Sequence, residues 1–452
     1  MMKKMIYLMV MGIAMLQTVE AQTVSPNLST LLQIKLDSLV NIFAGTGNTK
    51  GVSIGIFCPG EGYWTGVSGI SHPGVNLTPD MKQGLASNSK LFIGVTMLKL
   101  DEQQIIDLDS PISTWLDPIP NVNPAITVRQ LLNHTSGIED PFFSTSLLDS
   151  INAHPTHEFS SAEVFSYLGA ALFPAGTSYS YSNINYILAG MIAEEATGQT
   201  MAQLVRQNIF TPLNLNNTFY DYGEAEITPL AHRWHDHVDY HDTSRVSLNS
   251  AGGPAGAIFS TAADMAHWYH ALMDGQVLSQ SSFDELTNFV DFDGIGNYGL
   301  GIQRTNFYDR ENWGHGGSTH GYKSRSVYDP CSSAVVCGLS NDDWSAIDGI
   351  TVLMYKALID YLPACSLASE ELSNEKQSFK VFPNPATNEV VIEFLGNDEN
   401  ATFTLTNMLN QAVLKGNLRQ NTTLEIGNLN AGIYMISVEN EGQIFTKRIV
   451  KR

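Results

Sequence analysis

A chain of 452 residues with 43% hydrophobic content has room for a large folded unit and something smaller, and its composition excludes wholesale disorder. Its formal charge of −21 argues against nucleic acid or an anionic membrane surface as a partner, because phosphate would be repelled. From 379 to 452 seven basic residues balance seven acidic ones, so the whole negative excess lies upstream.

In chain order, Lys3 and Lys4 precede the apolar run Met5 to Leu16, and Val19-Glu20-Ala21 supplies small residues at signal-peptidase spacing. Residues 1–21 therefore read as an export signal, with an uncleaved anchor as the alternative. The run is too short for a comfortable transmembrane helix, and no later stretch is long and apolar enough to span a bilayer. Val52 to Phe57 and Gly62 to Gly69 predict a hairpin turning at Pro59-Gly60-Glu61.

Next comes Ser87-Asn88-Ser89-Lys90, where a glycine-containing loop enters the apolar helix Leu91 to Leu100. Residues three apart share a helix face, which sets the Ser87 hydroxyl beside the Lys90 amine. A serine hydroxyl attacks poorly until its proton is taken, and a desolvated lysine can take it. Taken alone, a capping serine with a solvated lysine explains the pattern better. Helices follow over Val128 to Asn133 and Ile184 to Glu195. Between them, Pro174 to Tyr186 places Tyr181 and Asn183 on a loop ahead of a helix. A phenol near a lysine can lose its proton more readily, and an amide can orient a substrate carbonyl; an aromatic packing loop with Asn183 as a cap is the bland alternative.

His232, His235, His237 and His241, interleaved with Asp236, Asp239 and Asp242, are compatible with a divalent metal or with a surface loop. No His-Glu-x-x-His accompanies them, and the expectation is no metal and no cofactor. Strand character returns at Gly299 to Arg304, Lys323 to Tyr328 and Ser332 to Leu339, with a last helix over Trp344 to Tyr361. Trp313-Gly314-His315-Gly316-Gly317-Ser318-Thr319-His320-Gly321 reads as a strand edge of small residues, beside which a ligand or backbone can lie. There the N–H of Ser318 can face that of Ser87 as an oxyanion hole, with His315 at the cleft mouth.

Strands at both ends and helices between predict an α/β (α+β) unit over 22–365: an antiparallel sheet flanked by helices, a helical lobe, and a cleft between them. Cysteines of an exported chain meet an oxidising compartment, and a Cys58–Cys331 bridge is expected if their strands pair. Residues 366–378 read as a polar linker, and 379–452 as a small all-β sandwich of about seven strands.

Together, Ser87-x-x-Lys90, Tyr181-Ser182-Asn183 and His315-Gly316-Gly317 resemble the three motifs of the serine β-lactamase and penicillin-binding protein superfamily. The branch is that of class C β-lactamases and D-alanyl-D-alanine carboxypeptidases. Leu131-Leu132-Asn133-His134-Thr135-Ser136-Gly137-Ile138, Gly252 to Met265 and Tyr298-Gly299-Leu300-Gly301 are further matches. The resemblance implies Ser87 as acylated nucleophile, Lys90 as its activator, Tyr181 as general base and Asn183 as amide holder. It also implies Ser87 and Ser318 as oxyanion donors along the His315-to-Gly317 edge. Many members carry lysine where this chain has His315, which weakens the case for β-lactam turnover and favours D-amino-acid-containing peptides or small esters and amides. Arg325 is a candidate for a carboxylate contact in its place, with an idle exposed arginine as the alternative. A binding protein that does not turn over, or a metal-dependent hydrolase, are the remaining readings.

The C-terminal segment, with Pro383-Asn384-Pro385, Gly432-Ile433-Tyr434 and the basic end 447–452, resembles the sorting domain of the type IX secretion system. An adhesive β-module is the alternative. That resemblance implies passage to the cell surface or beyond, with the secretion machinery as a partner and a small peptide or ester as substrate.

Overall fold

The computed structural model describes residues 23–44, 49–292, 294–362, 379–383, 386–394, 401–407, 412–419, 421–430, 432–440 and 443–451. The expected export signal, the linker, Cys365 and Asn384-Pro385 lie outside these residues.

Helix α1 (Pro26–Ala44) places Leu28, Leu32, Leu36 and Val40 at four-residue spacing, and all are buried on one stripe. The hairpin forms as β1 (Gly51–Cys58) and β2 (Gly62–His72), continued by β3 (Val75–Asn76). At the other end of the unit come β4 (Val290–Phe292), β5 (Ile295–Tyr298), β6 (Gln303–Phe307), β7 (Arg310–Thr319), β8 (Tyr322–Asp329) and β9 (Ala334–Ser340). All are joined in one antiparallel sheet of order β3-β2-β1-β9-β8-β7-β6-β5-β4. β1 pairs directly with β9, from Val52↔Ser340 to Phe57↔Val335, so the two ends of the unit meet in mid-sheet as expected.

The last helix, α6 (Ile347–Tyr361), joins α1 over one face of the sheet, where Ile347, Ile350, Met354 and Leu358 are buried with the leucines of α1. On the other face lies α5 (Ala262–Met273). It comes so close that a Cβ at Gly55 would stand 1.9 Å from the Ala262 carbonyl oxygen. Helix α2 (Ser89–Glu102) carries no polar face to solvent: Leu91 through Leu98 are all buried, and it forms the axis of the lobe with α3 (Val128–Leu132) and α4 (Asn183–Thr197).

Two expectations change. The strand read over Gly299 to Arg304 begins only at Gln303, because residues 299–302 form a tight loop crossing α2. There the Leu300 carbonyl oxygen occupies the space of a Cβ at Gly94. The Cys58–Cys331 bridge does not form: Cys58 is a buried thiol, while Cys331 is disulfide-bonded elsewhere. The register is the reason, since Phe57 faces Val335 and Cys331 falls four residues beyond, in the turn before β9.

The C-terminal segment forms its own core from Phe379, Val390, Ile392, Leu405, Ile436 and Ile449. Three strands (Phe379–Phe382, Glu389–Phe394, Asn421–Glu425) make one sheet; Ala412–Asn417, Thr402–Asn407, Gly432–Asn440 and Gln443–Lys451 make another.

Candidate active site

Ser87 lies at the centre of a single 3-10 turn, Ala86–Asn88, that runs straight into α2. The turn is strained, because Ala86 holds φ +48° without glycine's freedom. Distant partners hold it there. The Ser324 hydroxyl on β8 donates to the Leu85 carbonyl at 2.7 Å and accepts from Asn88 Nδ2 at 2.8 Å, and Tyr269 Oη donates to Asn88 Oδ1 at 3.1 Å.

One turn on, Lys90 Nζ donates to Ser87 Oγ (3.1 Å), Asn183 Oδ1 (2.7 Å) and the Ala255 carbonyl (2.7 Å). Among the described residues no carboxylate touches it. Burial pushes its pKa down to about 7, against a partial pull upward from Asp140. Near neutral pH the amine can therefore lose its proton, keep two N–H groups for Asn183 and Ala255, and turn its lone pair toward the Ser87 hydroxyl.

Asn183 is the first residue of α4, and Asp140 fixes its orientation: Asp140 Oδ2 accepts from the Asn183 N–H (2.9 Å) and from its Nδ2 (2.8 Å). The side-chain oxygen must then face Lys90. Asn183 lines the cleft, but its amide is engaged with Lys90 and Asp140 rather than left open for a substrate.

Tyr181 lies with its ring 5.0 Å from Lys90 Nζ, yet its titration runs opposite to the sequence expectation. Burial drives its pKa well above the ordinary phenol value, and the nearby Ser87 hydroxyl offsets only part of that rise. Tyr181 Oη has no partner of good hydrogen-bond geometry among the described residues. Burial thus disfavours the phenolate form of Tyr181. His134 scaffolds this loop: Nδ1 accepts from the Ser182 N–H (3.2 Å) and Asn185 Nδ2 (3.0 Å), and its ring lies 4.3 Å from that of Tyr181.

On the facing wall, β6 pairs with β7 only as far as Gln303↔Gly314, whereas β8 pairs along to Thr319↔Tyr322. The segment from His315 to Thr319 therefore keeps one strand edge toward the Ser87 turn. A Cβ at Gly317 would stand 2.2 Å from the Leu85 carbonyl oxygen and 2.9 Å from the Ser87 nitrogen, so only glycine allows this approach. Ser318 follows it along the cleft wall.

His315 is not at the cleft mouth but buried. Its Nδ1–H donates to the Gly316 carbonyl, and Nε2 accepts from Tyr298 Oη at 2.8 Å. Burial and the Lys90 charge push its pKa down to about 3, so it is neutral and brings no charge to a substrate.

These residues enclose a cavity of about 800 Å³. Phe142, Phe143, Leu148, Ile151 and Leu248 give it one apolar wall, and Arg325 lines it on the sheet side instead of standing exposed. The histidine-rich run divides in two. His232 pairs with Asp239 (2.7 Å) and stacks between His72 and His241, while His235 pairs with Asp343 (2.6 Å) beside His320. Among the described residues no three or more His, Cys, Asp or Glu are placed to hold a metal ion.

Sequence reasoning missed Asp140, Ser324 and Tyr269. Asp140 reads locally as the cap of Pro141–Phe143, which it also is, and nothing local announces a partner 43 residues on. Tyr298 was within reach, since it opens the Tyr-Gly-Leu-Gly match.

Known proteins share this fold. A D-stereospecific amidohydrolase from Streptomyces sp. superposes with TM-score 0.61 at 28% identity, over 72% of this chain and 97% of that one. A D-amino acid amidase from Ochrobactrum anthropi SV3, complexed with D-phenylalanine, gives TM-score 0.65 at 25% identity, over 74% and 99%. Protein flp of Staphylococcus aureus is 22% identical over 382 residues, 80% of this chain and 74% of that protein. Residues 380–452 match the secretion system C-terminal sorting domain, and residues 36–358 match the beta-lactamase family model. The chain belongs to the beta-lactamase family and ends in a secretion sorting domain.

Proposed function

We propose that the protein is an exported serine hydrolase that cleaves the amide bond following a D-amino acid, in a peptide or a simple amide, through an acyl-enzyme on Ser87. The observation that carries this is the buried, uncompensated amine of Lys90, poised near neutrality 3.1 Å from the Ser87 hydroxyl. Lys90 takes the hydroxyl proton as Ser87 Oγ attacks the carbonyl carbon, and the N–H groups of Ser87 and Ser318 receive the oxyanion. The C–N bond breaks as a proton reaches the leaving nitrogen, supplied by the Tyr181 hydroxyl and restored from Lys90. Water then attacks the ester, Lys90 again accepts a proton, and Ser87 is regenerated.

The D-amino-acid preference draws support from the amidase and amidohydrolase neighbours and from the apolar wall, which suits a bulky side chain on the acyl residue. The neutral His315 favours this over β-lactam turnover. We take 1–21 as signal, 22–365 as hydrolase, 366–378 as linker and 379–452 as the sorting segment engaging the type IX machinery.

The full chain, assayed with D- and L-phenylalanine amide and a D-alanyl-D-alanine peptide, is expected to release product from the D compounds and to leave the L-amide largely intact. Equal rates on the two enantiomers would sink the stereochemical claim.

Asp140 offers a sharper test of the Lys90 assignment. Below its pKa Lys90 is protonated and inactive, so kcat/KM falls on the acid side of about 7. Asp140→Asn removes a negative charge that favours the ammonium form, so the acid limb moves to lower pH even as misorientation of Asn183 lowers the plateau. A pH profile that drops in height without moving would assign the acid limb to another group.

A further inference from the structure

We propose that Tyr298 is a positioning residue for the oxyanion site: its hydroxyl holds His315 in one tautomer, and His315 in turn holds the glycine edge that carries the Ser318 N–H. This rests on the acyl-enzyme reading above and adds to it the group that keeps the oxyanion edge in place.

The edge has little stiffness of its own. Gly314, Gly316 and Gly317 surround His315, and glycines bring no side chains to hold their peptide planes. Among the described residues β6 gives no ladder partner beyond Gln303↔Gly314. The N–H and C=O of one residue leave a strand on the same edge, and the pattern repeats two residues on. The Gly316 carbonyl therefore shares an edge with the Ser318 N–H. Without a partner that peptide plane is free to tilt, and the donor two residues on tilts with it.

His315 supplies the partner. A carbonyl can only accept, so Nδ1 carries the hydrogen that reaches Gly316, and the neutral ring then has its lone pair on Nε2. Tyr298 Oη donates to that lone pair at 2.8 Å. Tyr186 beside it donates its own proton to the Leu132 carbonyl at 2.8 Å, and so offers His315 none.

Tyr298 is itself firmly placed. It ends β5 opposite Gln303, the first residue of β6, and its hydroxyl reaches past that strand end to His315 on β7. The residues after it are pressed onto α2. The Leu300 carbonyl oxygen takes the space of a Cβ at Gly94, and a Cβ at Gly301 would stand 2.6 Å from the Lys90 carbonyl oxygen. One hydrogen bond thus tethers the helix that follows Ser87 to the facing edge, across which the two oxyanion donors must keep their spacing.

Two measurements on the full chain test this. Nitrogen NMR reads the ring without substrate, the His315 signals being those lost in His315→Leu. The wild type is expected to show Nδ1 protonated and Nε2 bare, with the Nε2 signal moving in Tyr298→Phe. A protonated wild-type Nε2 overturns the proposal even if the phenylalanine variant does not fold, and so does an Nε2 signal that the variant leaves in place. In kinetics with D-phenylalanine amide, Tyr298→Phe is expected to lower kcat by about tenfold to a hundredfold with KM little changed, because the edge acts on the transition state. Added to His315→Leu, which has no ring to hold, Tyr298→Phe is expected to cost little more. A wild-type kcat in the single variant, or the same further loss in both backgrounds, overturns the assignment of Tyr298 and leaves the hydrolase reading intact. A wild type that cleaves no D-amide overturns the hydrolase reading, and with it the role of the edge.

Discussion

Alanine at position 87 is expected to remove turnover and the covalent intermediate together. With no other hydroxyl hydrogen-bonded to Lys90 Nζ among the described residues, Ser87→Ala will lower kcat/KM by roughly a thousandfold or more, the scale on which nucleophile removal usually acts. Intact-mass spectrometry of the wild type, quenched during hydrolysis of a slow D-amino acid ester, will show an acyl adduct that the variant lacks. Because Ser87 Oγ makes its hydrogen bond at the cleft and the turn is held by Ser324 and Tyr269, thermal stability will change little. An alanine variant that hydrolyses D-amides at wild-type rates would remove Ser87 from the chemistry altogether.

Lys90→Met separates activity from stability in a way few substitutions do. Methionine is close to lysine in length and cannot accept the Ser87 proton, so kcat/KM is expected to drop by roughly a hundredfold to ten-thousandfold. The acid limb near 7 should disappear with it. Stability moves the other way. The folded chain holds the lysine proton less tightly than the unfolded chain, so the native residue costs stability in full below about 7 and progressively less as pH rises toward the ordinary lysine value. Methionine carries no such penalty, and its buried position among Tyr181 and Tyr186 suits an apolar side chain. Calorimetry at pH 8 is expected to give an equal or higher Tm for the variant. A lower Tm with retained activity would mean that Lys90 is a structural residue.

The sequence made the order of the parts legible because those parts are local. The hairpin, the apolar helix after Ser87 and the glycine edge from His315 are each written in consecutive residues, and each forms where expected. Direction of titration was not legible. Whether Tyr181 loses its proton depends on how deeply it is buried, and that depends on His134 and Tyr298, which are far away in sequence. His315 illustrates the same limit: a histidine between glycines reads as exposed, and only the Tyr298 hydroxyl and its enclosed position make it a neutral core group. The disulfide failed for a related reason, since the β1–β9 register, which leaves Cys331 beyond the paired residues, cannot be read from spacing.

Ser324 donates to Leu85 across 239 positions of chain, and Ser340 donates to Gly51 across 289. The proposed nucleophile, Ser87, is made early, but the clamp that holds its strained turn is made late, after the whole helical lobe. A ribosome that stalls after Tyr181 and before Ser324 releases a polypeptide with serine, lysine and tyrosine all present and no clamp on the Ser87 turn. On the proposed function, hydrolytic activity is therefore a report on completed β-sheet closure, and the nascent chain is silent until its final strands add to the sheet.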